Sequence, residues 1–120
     1  IAPGGKHMEI ARRGAKDEYI LKITSKAPVH SCRPSVDVLF SSLAANYEGR
    51  CLALVLTGMG SDGRDGVIAL KDKDAYCIAQ DEGTSVVFGM PKAVIESDCA
   101  DEILPAEDIA ERINALVKKG

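Results

Sequence analysis

Cys51-Leu52-Ala53-Leu54-Val55-Leu56-Thr57-Gly58-Met59-Gly60-Ser61-Asp62-Gly63 is the stretch on which the rest of the chain turns. The apolar run Cys51 to Leu56 has no alternation, which predicts a strand covered on both faces, as in the middle of a parallel sheet flanked by helices. Glycines follow it, and Val67 and Leu70 then recur at helical spacing between Gly63 and Lys73. A strand that ends in a tight turn and feeds directly into a helix is the expected result. Such a turn presents backbone N–H groups and the positive end of a helix at the carboxyl edge of the sheet, where α/β proteins place their sites.

Upstream of this stretch, His7 to Arg12 and Tyr19 to Thr24 alternate apolar and polar residues around the polar segment Arg13 to Glu18, which predicts a β-hairpin. Ser25 to Arg33 reads as a loop. A helix starts at Pro34-Ser35, with Val36, Leu39, Phe40, Leu43 and Ala44 on one face, and ends by Gly49. Downstream, Ala75 to Gln80 predicts a second buried strand, and Asp81-Glu82-Gly83-Thr84 a loop at the same sheet edge as the glycine turn. Phe88-Gly89-Met90 leads into a short helix with Pro91 in its first turn. Glu102 to Leu104 is a last short strand. A terminal helix over Ala106 to Lys118 carries Glu107 and Asp108 at its positive end and Lys118-Lys119 at its negative end. The order predicts an α/β fold, with a mainly parallel sheet, flanking helices and one hairpin.

Two chemistries compete for the glycine turn. Gly58, Gly60 and Gly63 match G-x-G-x-x-G, and Asp81 lies at about the distance expected of a ribose-binding acid, so a dinucleotide site is one reading. Asp62 opposes it, because a carboxylate inside a phosphate-binding turn repels the pyrophosphate that the bare N–H groups would bind. Asp62 is then an N-cap of its own helix, the acidic member of a catalytic constellation, or an uncomfortable neighbour of a nucleotide. The residues alone leave these open.

Composition narrows the field. The 120 residues, 46% apolar, suffice for one domain. The opening Ile1-Ala2-Pro3-Gly4 reads as the tail of a strand entering a turn, so a fragment with an open sheet edge, prone to self-association, is expected. Fifteen basic and 18 acidic residues are scattered without a basic cluster, and aromatics are 4% with no Trp, which argues against nucleic acid as a partner. No apolar run approaches the roughly 20 residues of a membrane span and no leader pattern opens the chain, so membrane insertion is not expected and a cytoplasmic setting is. Cys32, Cys51, Cys77 and Cys99 contain no C-x-x-C pair and read as free thiols, with Cys51 and Cys77 as small core residues. Asp62 and Asp65 lack the acid-rich loop or paired histidines of a cation site, so neither metal nor other cofactor is expected. His7 and His30 read as surface or turn histidines, and no serine lies in a G-x-S-x-G elbow.

Five blocks nevertheless carry a resemblance: Ile1-Ala2-Pro3-Gly4-Gly5-Lys6-His7-Met8, Arg33-Pro34-Ser35-Val36-Asp37-Val38-Leu39-Phe40, Leu56-Thr57-Gly58-Met59-Gly60-Ser61-Asp62-Gly63, Ile78-Ala79-Gln80-Asp81-Glu82 and Val86-Val87-Phe88-Gly89-Met90-Pro91. In that order, and over nearly the whole chain, they resemble the C-terminal part of the chemotaxis protein-glutamate methylesterase (CheB-type) catalytic domain. The resemblance implies the C-terminal part of a doubly wound α/β hydrolase acting on methylated chemoreceptor helices, with glutamine deamidase activity and a receiver domain typically preceding it. It implies a Ser-His-Asp triad in which Asp62 is the acid, its carboxylate pointing outward from the rim of the sheet toward an imidazole, and the Met59 backbone N–H helps bind the oxyanion, residues 1–120 being a partial domain whose nucleophile and base lie upstream. Asp62→Asn in the intact enzyme is then expected to cut turnover by orders of magnitude with little loss of folding. The 120 residues alone are expected to be inactive, and a non-catalytic remnant serving as an interaction module is the remaining alternative. Two positions depart from the family pattern: Cys32 stands where many relatives have His, and Asp74 replaces a Gly at a helix end where a left-handed residue is wanted.

Overall fold

Alternating side chains set strand β1 (His7–Arg13) antiparallel to β2 (Glu18–Thr24), with His7 opposite Thr24 and Arg13 opposite Glu18, in a computed structural model that describes residues 1–14 and 18–118. The hairpin is as expected; residues 15–17 of its polar segment lie outside the described residues. The second edge of β1 is occupied by a helix, α1 (Val36–Asn46). The Ile10 N–H donates to Ser42 Oγ at 2.9 Å and the Ile10 carbonyl accepts from Asn46 Nδ2 at 3.0 Å. Two side chains one turn apart thus stand in for a neighbouring strand and satisfy backbone groups that would otherwise need water.

The remaining elements follow in the predicted order: β3 (Leu52–Val55), α2 (Arg64–Lys71), β4 (Tyr76–Gln80), α3 (Gly89–Glu96), β5 (Glu102–Leu104) and α4 (Ala106–Lys118). Strands β3, β4 and β5 form a parallel sheet in that spatial order, with Val55 beside Ala79 and Gln80 beside Leu104. Their carboxyl ends therefore fall at one edge. Arg112 of α4 grips Glu102 of β5 through its Nε at 2.7 Å and 2.9 Å, and the Tyr76 hydroxyl donates to the same carboxylate. Lys119, expected at the negative end of α4, lies outside the described residues.

The core is built by Ala53 and Val55 of β3, Val67 and Leu70 of α2, Ala75, Cys77 of β4 and Val94 of α3, with Phe40 and Leu43 of α1 packed against them. Coverage on both faces holds for β4, where Cys77 to Gln80 are all buried. It fails for β3: Leu52 and Leu54 are half-buried and Leu56 is 48% exposed. The physical reason is position, since β4 is central in the sheet and β3 lies at its edge, so an unbroken apolar run does not by itself secure a cover on both sides. All four cysteines are free thiols, as expected, and burial pushes the Cys77 thiol up to about 12, which leaves it an unreactive core residue.

Helix α2 ends in a turn where the Asp74 N–H donates to the Lys71 carbonyl at 3.0 Å and Ala75 to the Leu70 carbonyl at 3.2 Å. Asp74 itself sits at φ +62°, the left-handed conformation expected from the family pattern. A Cβ is crowded there and a glycine is not. Asp74→Gly should therefore raise stability by about 0.5–1 kcal/mol, read as an increased midpoint of urea unfolding with an unchanged slope.

Candidate functional site

The turn after β3 is stitched to the loop after β4. The Thr57 N–H donates to Gln80 Oε1 at 2.8 Å, the Thr57 hydroxyl donates to the Val87 carbonyl at 3.1 Å, and Gly58 N–H donates to the same carbonyl at 2.9 Å. Met90 N–H at the start of α3 returns a bond to the Gly58 carbonyl at 2.9 Å. The two loops at the sheet edge are thus neighbours, as their strands' pairing predicts. The approach is so close that a Cβ on Gly89 would lie 2.9 Å from the backbone N and O of Gly60, which no side chain but hydrogen allows. Held this way, the turn leaves Met59 81% exposed, and its N–H has no acceptor among the described residues.

Asp62 behaves differently from either structural expectation. It is only 5% exposed and does not point outward from the rim, nor does it cap its own helix. The N-cap of α2 is Gly63, at φ +102°, with no side-chain cap bond. The carboxylate instead crosses to the start of α1. Its Oδ1 accepts from Ser35 Oγ at 2.7 Å and from Asp37 N–H at 3.2 Å, and its Oδ2 accepts from Val36 N–H at 2.6 Å. These are donors that a helix N-terminus leaves unsatisfied, and they belong to the neighbouring helix.

Asp37 returns the favour in the opposite direction. From the first turn of α1 its Oδ1 accepts from Gly63 N–H at 3.0 Å and Gly66 N–H at 2.7 Å, the open donors of α2. Each helix is capped by the other's aspartate. Burial pushes the Asp37 carboxyl up; the Gly66 and Gly63 N–H bonds oppose this, and the charges of Asp62 and Asp65 add to the rise.

Ser35, the N-cap of α1, joins this pair to a third group. Its Oγ accepts from Val38 N–H at 3.4 Å while its O–H goes to Asp62, and its backbone N–H donates to His7 Nδ1 at 3.2 Å. His7 is completely buried rather than a surface or turn residue, and its Nε2 lies 2.9 Å from the Ala27 carbonyl. An Nδ1 that accepts and an Nε2 that donates assign the proton to Nε2. A serine, a histidine and an aspartate are therefore in contact without forming a triad. The hydroxyl meets the carboxylate directly and the imidazole meets a backbone N–H, so the imidazole of a triad is not placed to take the hydroxyl's proton.

The dinucleotide reading does not survive this geometry. The N–H groups that a pyrophosphate would need at the start of α2 are held by Asp37, and Asp81 Oδ1 accepts from the Thr84 N–H at 3.0 Å and the Thr84 hydroxyl at 2.6 Å, closing its own loop. Gly58, Gly60, Gly63 and Asp81 therefore serve the turn and the loop. His30 is exposed, with Nε2 3.7 Å from Asp37 Oδ2, and Asp65 completes a group whose polar atoms lie within 4.8 Å of one another. Sequence reasoning read His7 as a surface or turn histidine and Ser35 only as a helix start, and it gave Asp37 no role; Ser35-Val36-Asp37 signals the start of α1 and is silent about the other helix.

The family model described as CheB methylesterase matches residues 1–113. The chain is 47% identical over 113 residues to the protein-glutamate methylesterase/protein-glutamine glutaminase 1 of Hahella chejuensis, covering 94% of this chain and 31% of that protein. It is 46% identical over 118 residues to the corresponding enzyme of Desulfotalea psychrophila, covering 98% of this chain and 32% of that one. It thus spans about a third of the length of the curated relatives it matches. Among solved structures it is similar to the CheB methylesterase catalytic domain of Thermotoga maritima, with a TM-score of 0.88 and 37% identity over 95% of this chain and 59% of that one.

The raised Asp37 carboxyl has a stability consequence with a definite sign. The folded chain holds that proton to higher pH than the unfolded chain, so the contribution is complete below the ordinary value of 3.8 and is lost as pH rises through the folded value. Asp37→Asn keeps a carbonyl oxygen for Gly63 and Gly66 without the charge. It should match the parent near pH 3.5 and exceed it in urea unfolding at pH 7, whereas Asp37→Ala should lose about 1–3 kcal/mol at both.

Proposed function

Because the chain belongs to the CheB methylesterase family, we propose that it forms part of an enzyme that hydrolyses glutamate methyl esters and deamidates glutamines on bacterial chemoreceptors. Within that enzyme Asp62 is the acid of a Ser-His-Asp triad, and the Met59 N–H contributes to the oxyanion site. The serine and the histidine are supplied from outside these 120 residues, and the enzyme works in the cytoplasm on receptor helices, with a receiver domain ahead of it as is typical of the family. No helix among the described residues is long and apolar enough to cross a membrane.

One observation carries the reading. An ionised carboxylate offers about four lone-pair sites, and three donors occupy those of Asp62, two on Oδ1 and one on Oδ2. Among the described residues no second donor reaches Oδ2, which leaves one of its lone-pair sites for an incoming N–H. An imidazole N–H arriving there would be oriented by a carboxylate that cannot swing away, since α1 already fixes it. The exposed turn next to it offers the unengaged Met59 N–H as a donor for charge that develops on the ester oxygen.

The chemistry follows from these two groups. As a serine oxygen attacks the ester carbonyl, the imidazole takes its proton and becomes positive, and Asp62 stabilises that cation without being protonated itself. As the tetrahedral intermediate collapses, the imidazolium gives the proton to the leaving oxygen, which departs as the alcohol, or to the amide nitrogen, which departs as ammonia. Water then cleaves the acyl-enzyme by the same proton route in reverse.

Asp62→Asn should lower kcat for demethylation of methylated receptor by about 10⁴-fold in the full-length protein. The earlier expectation of little folding loss is revised, because the amide replaces an accepting oxygen with an N–H group that must face a donor of α1. A loss of about 1–3 kcal/mol in unfolding free energy should accompany it. Rates are therefore normalised to folded protein, and near-parental turnover per folded molecule would refute the assignment.

A further inference from the structure

We infer that Ser35 is a positioning residue for the reaction: its hydroxyl, together with the first N–H groups of α1, sets the orientation in which Asp62 meets the imidazole. This rests on the reading of Asp62 as the triad acid. Four observations support it. Ser35 is 3% exposed, so its hydroxyl cannot exchange Asp62 for bulk water. The Ser35 Oγ to Asp62 Oδ1 bond, at 2.7 Å, joins a hydroxyl to a carboxylate, the charge-assisted kind that is about twice as strong as a neutral one. The hydroxyl's accepting side is already used by Val38 N–H, which points its proton toward the carboxylate rather than leaving it to rotate. The serine's backbone is in turn held by His7 Nδ1, which is itself anchored on the Ala27 carbonyl.

The carboxylate plane is defined by these contacts. Ser35 and Asp37 N–H hold Oδ1 and Val36 N–H holds Oδ2, so rotation about the side chain would break bonds on both oxygens together. With the Ser35 hydroxyl removed, Oδ1 keeps only the longer 3.2 Å contact while Val36 N–H still holds Oδ2, so the carboxylate plane is left free to tilt about that one short bond and the open lone pair of Oδ2 tilts with it. The chemistry asks for a fixed acceptor for an N–H whose charge rises during the step. Loss of that fixity should appear in turnover and leave receptor binding alone.

The N-cap role must be separated from the positioning role, and Ser35→Gly does so, because glycine is a tolerated N-cap costing only a few tenths of a kcal/mol yet has no hydroxyl to donate. In the full-length protein, with methylated chemoreceptor as substrate, Ser35→Gly should lower kcat by about 10- to 100-fold with KM unchanged. Ser35→Thr, which retains the hydroxyl, should restore most of it. On an Asp62→Asn background the same Ser35→Gly change should have no further effect on kcat, whereas a purely structural role would subtract equally on both backgrounds. Should the glycine variant fail to fold, Ser35→Cys, near in size with a weak donor, reads the same loss in kcat. A kcat within twofold of the parent for a folded Ser35→Gly or Ser35→Cys, while Asp62→Asn is inactive, would overturn the role of Ser35 alone. Full activity of Asp62→Asn would instead overturn the reading beneath it.

Discussion

Two aspartates exchanged between adjacent helices hold this structure's working edge together. Asp62 lies at the start of α2 but satisfies the open N–H groups of α1, and Asp37 lies in α1 but satisfies those of α2. Each carboxylate is like-charged and close to the other, an arrangement that would be repulsive in isolation. It is tolerated because each sits at the positive end of a helix and accepts fixed N–H donors there. Burial first, and the charge of Asp62 after it, still keep the Asp37 carboxyl above its ordinary value.

From that exchange the rest of the edge follows. The crossed carboxylates tie the start of α1 to the start of α2, and α1 in turn completes the free side of β1 through Ser42 and Asn46, so the hairpin, both helices and the buried His7 form one connected polar frame. On its other side the β3 turn is tied to the β4 loop by Thr57, Gln80 and Val87, and the close passage of Gly89 past Gly60 locks α3 against it. A rigid carboxylate and an unengaged Met59 N–H are left at the same strand end. The roles proposed for Asp62 and Met59 call for that combination: groups already in place before a substrate arrives.

Much of this was legible from residue patterns. The hairpin, the helix opened by Ser35, the short strand Glu102–Leu104 and the helix Ala106–Lys118 follow directly from periodicities of two and 3.6 and from capping residues, which are local signals. The left-handed position of Asp74 was expected from the family resemblance, which puts a glycine at that helix end. Where local reasoning failed, a partner distant in sequence had intervened. The apolar run of β3 suggested coverage on both faces, but Leu54 and Leu56 lack it because β4 took the central place. His7 looked like a turn residue, but a buried Ser35 N–H and the Ala27 carbonyl gave its two ring nitrogens separate uses.

Asp62 marks the boundary most clearly. Its place in a glycine turn at the end of a strand was enough to say that an acid stands at the carboxyl edge of a parallel sheet, because the apolar run, the glycines and the helical spacing are all contiguous. Which donors that acid accepts from could not be read the same way. A carboxylate after a strand suits the N-terminus of the helix it precedes as well as that of a helix packed beside it, and the two differ only in how α1 and α2 are docked. Docking is decided by Phe40 and Leu43 packing on the core of Val67 and Leu70, contacts between residues far apart in the chain. Composition and spacing therefore assigned the fold and the location of the acid, and the packing of one helix against another assigned its partners and its direction.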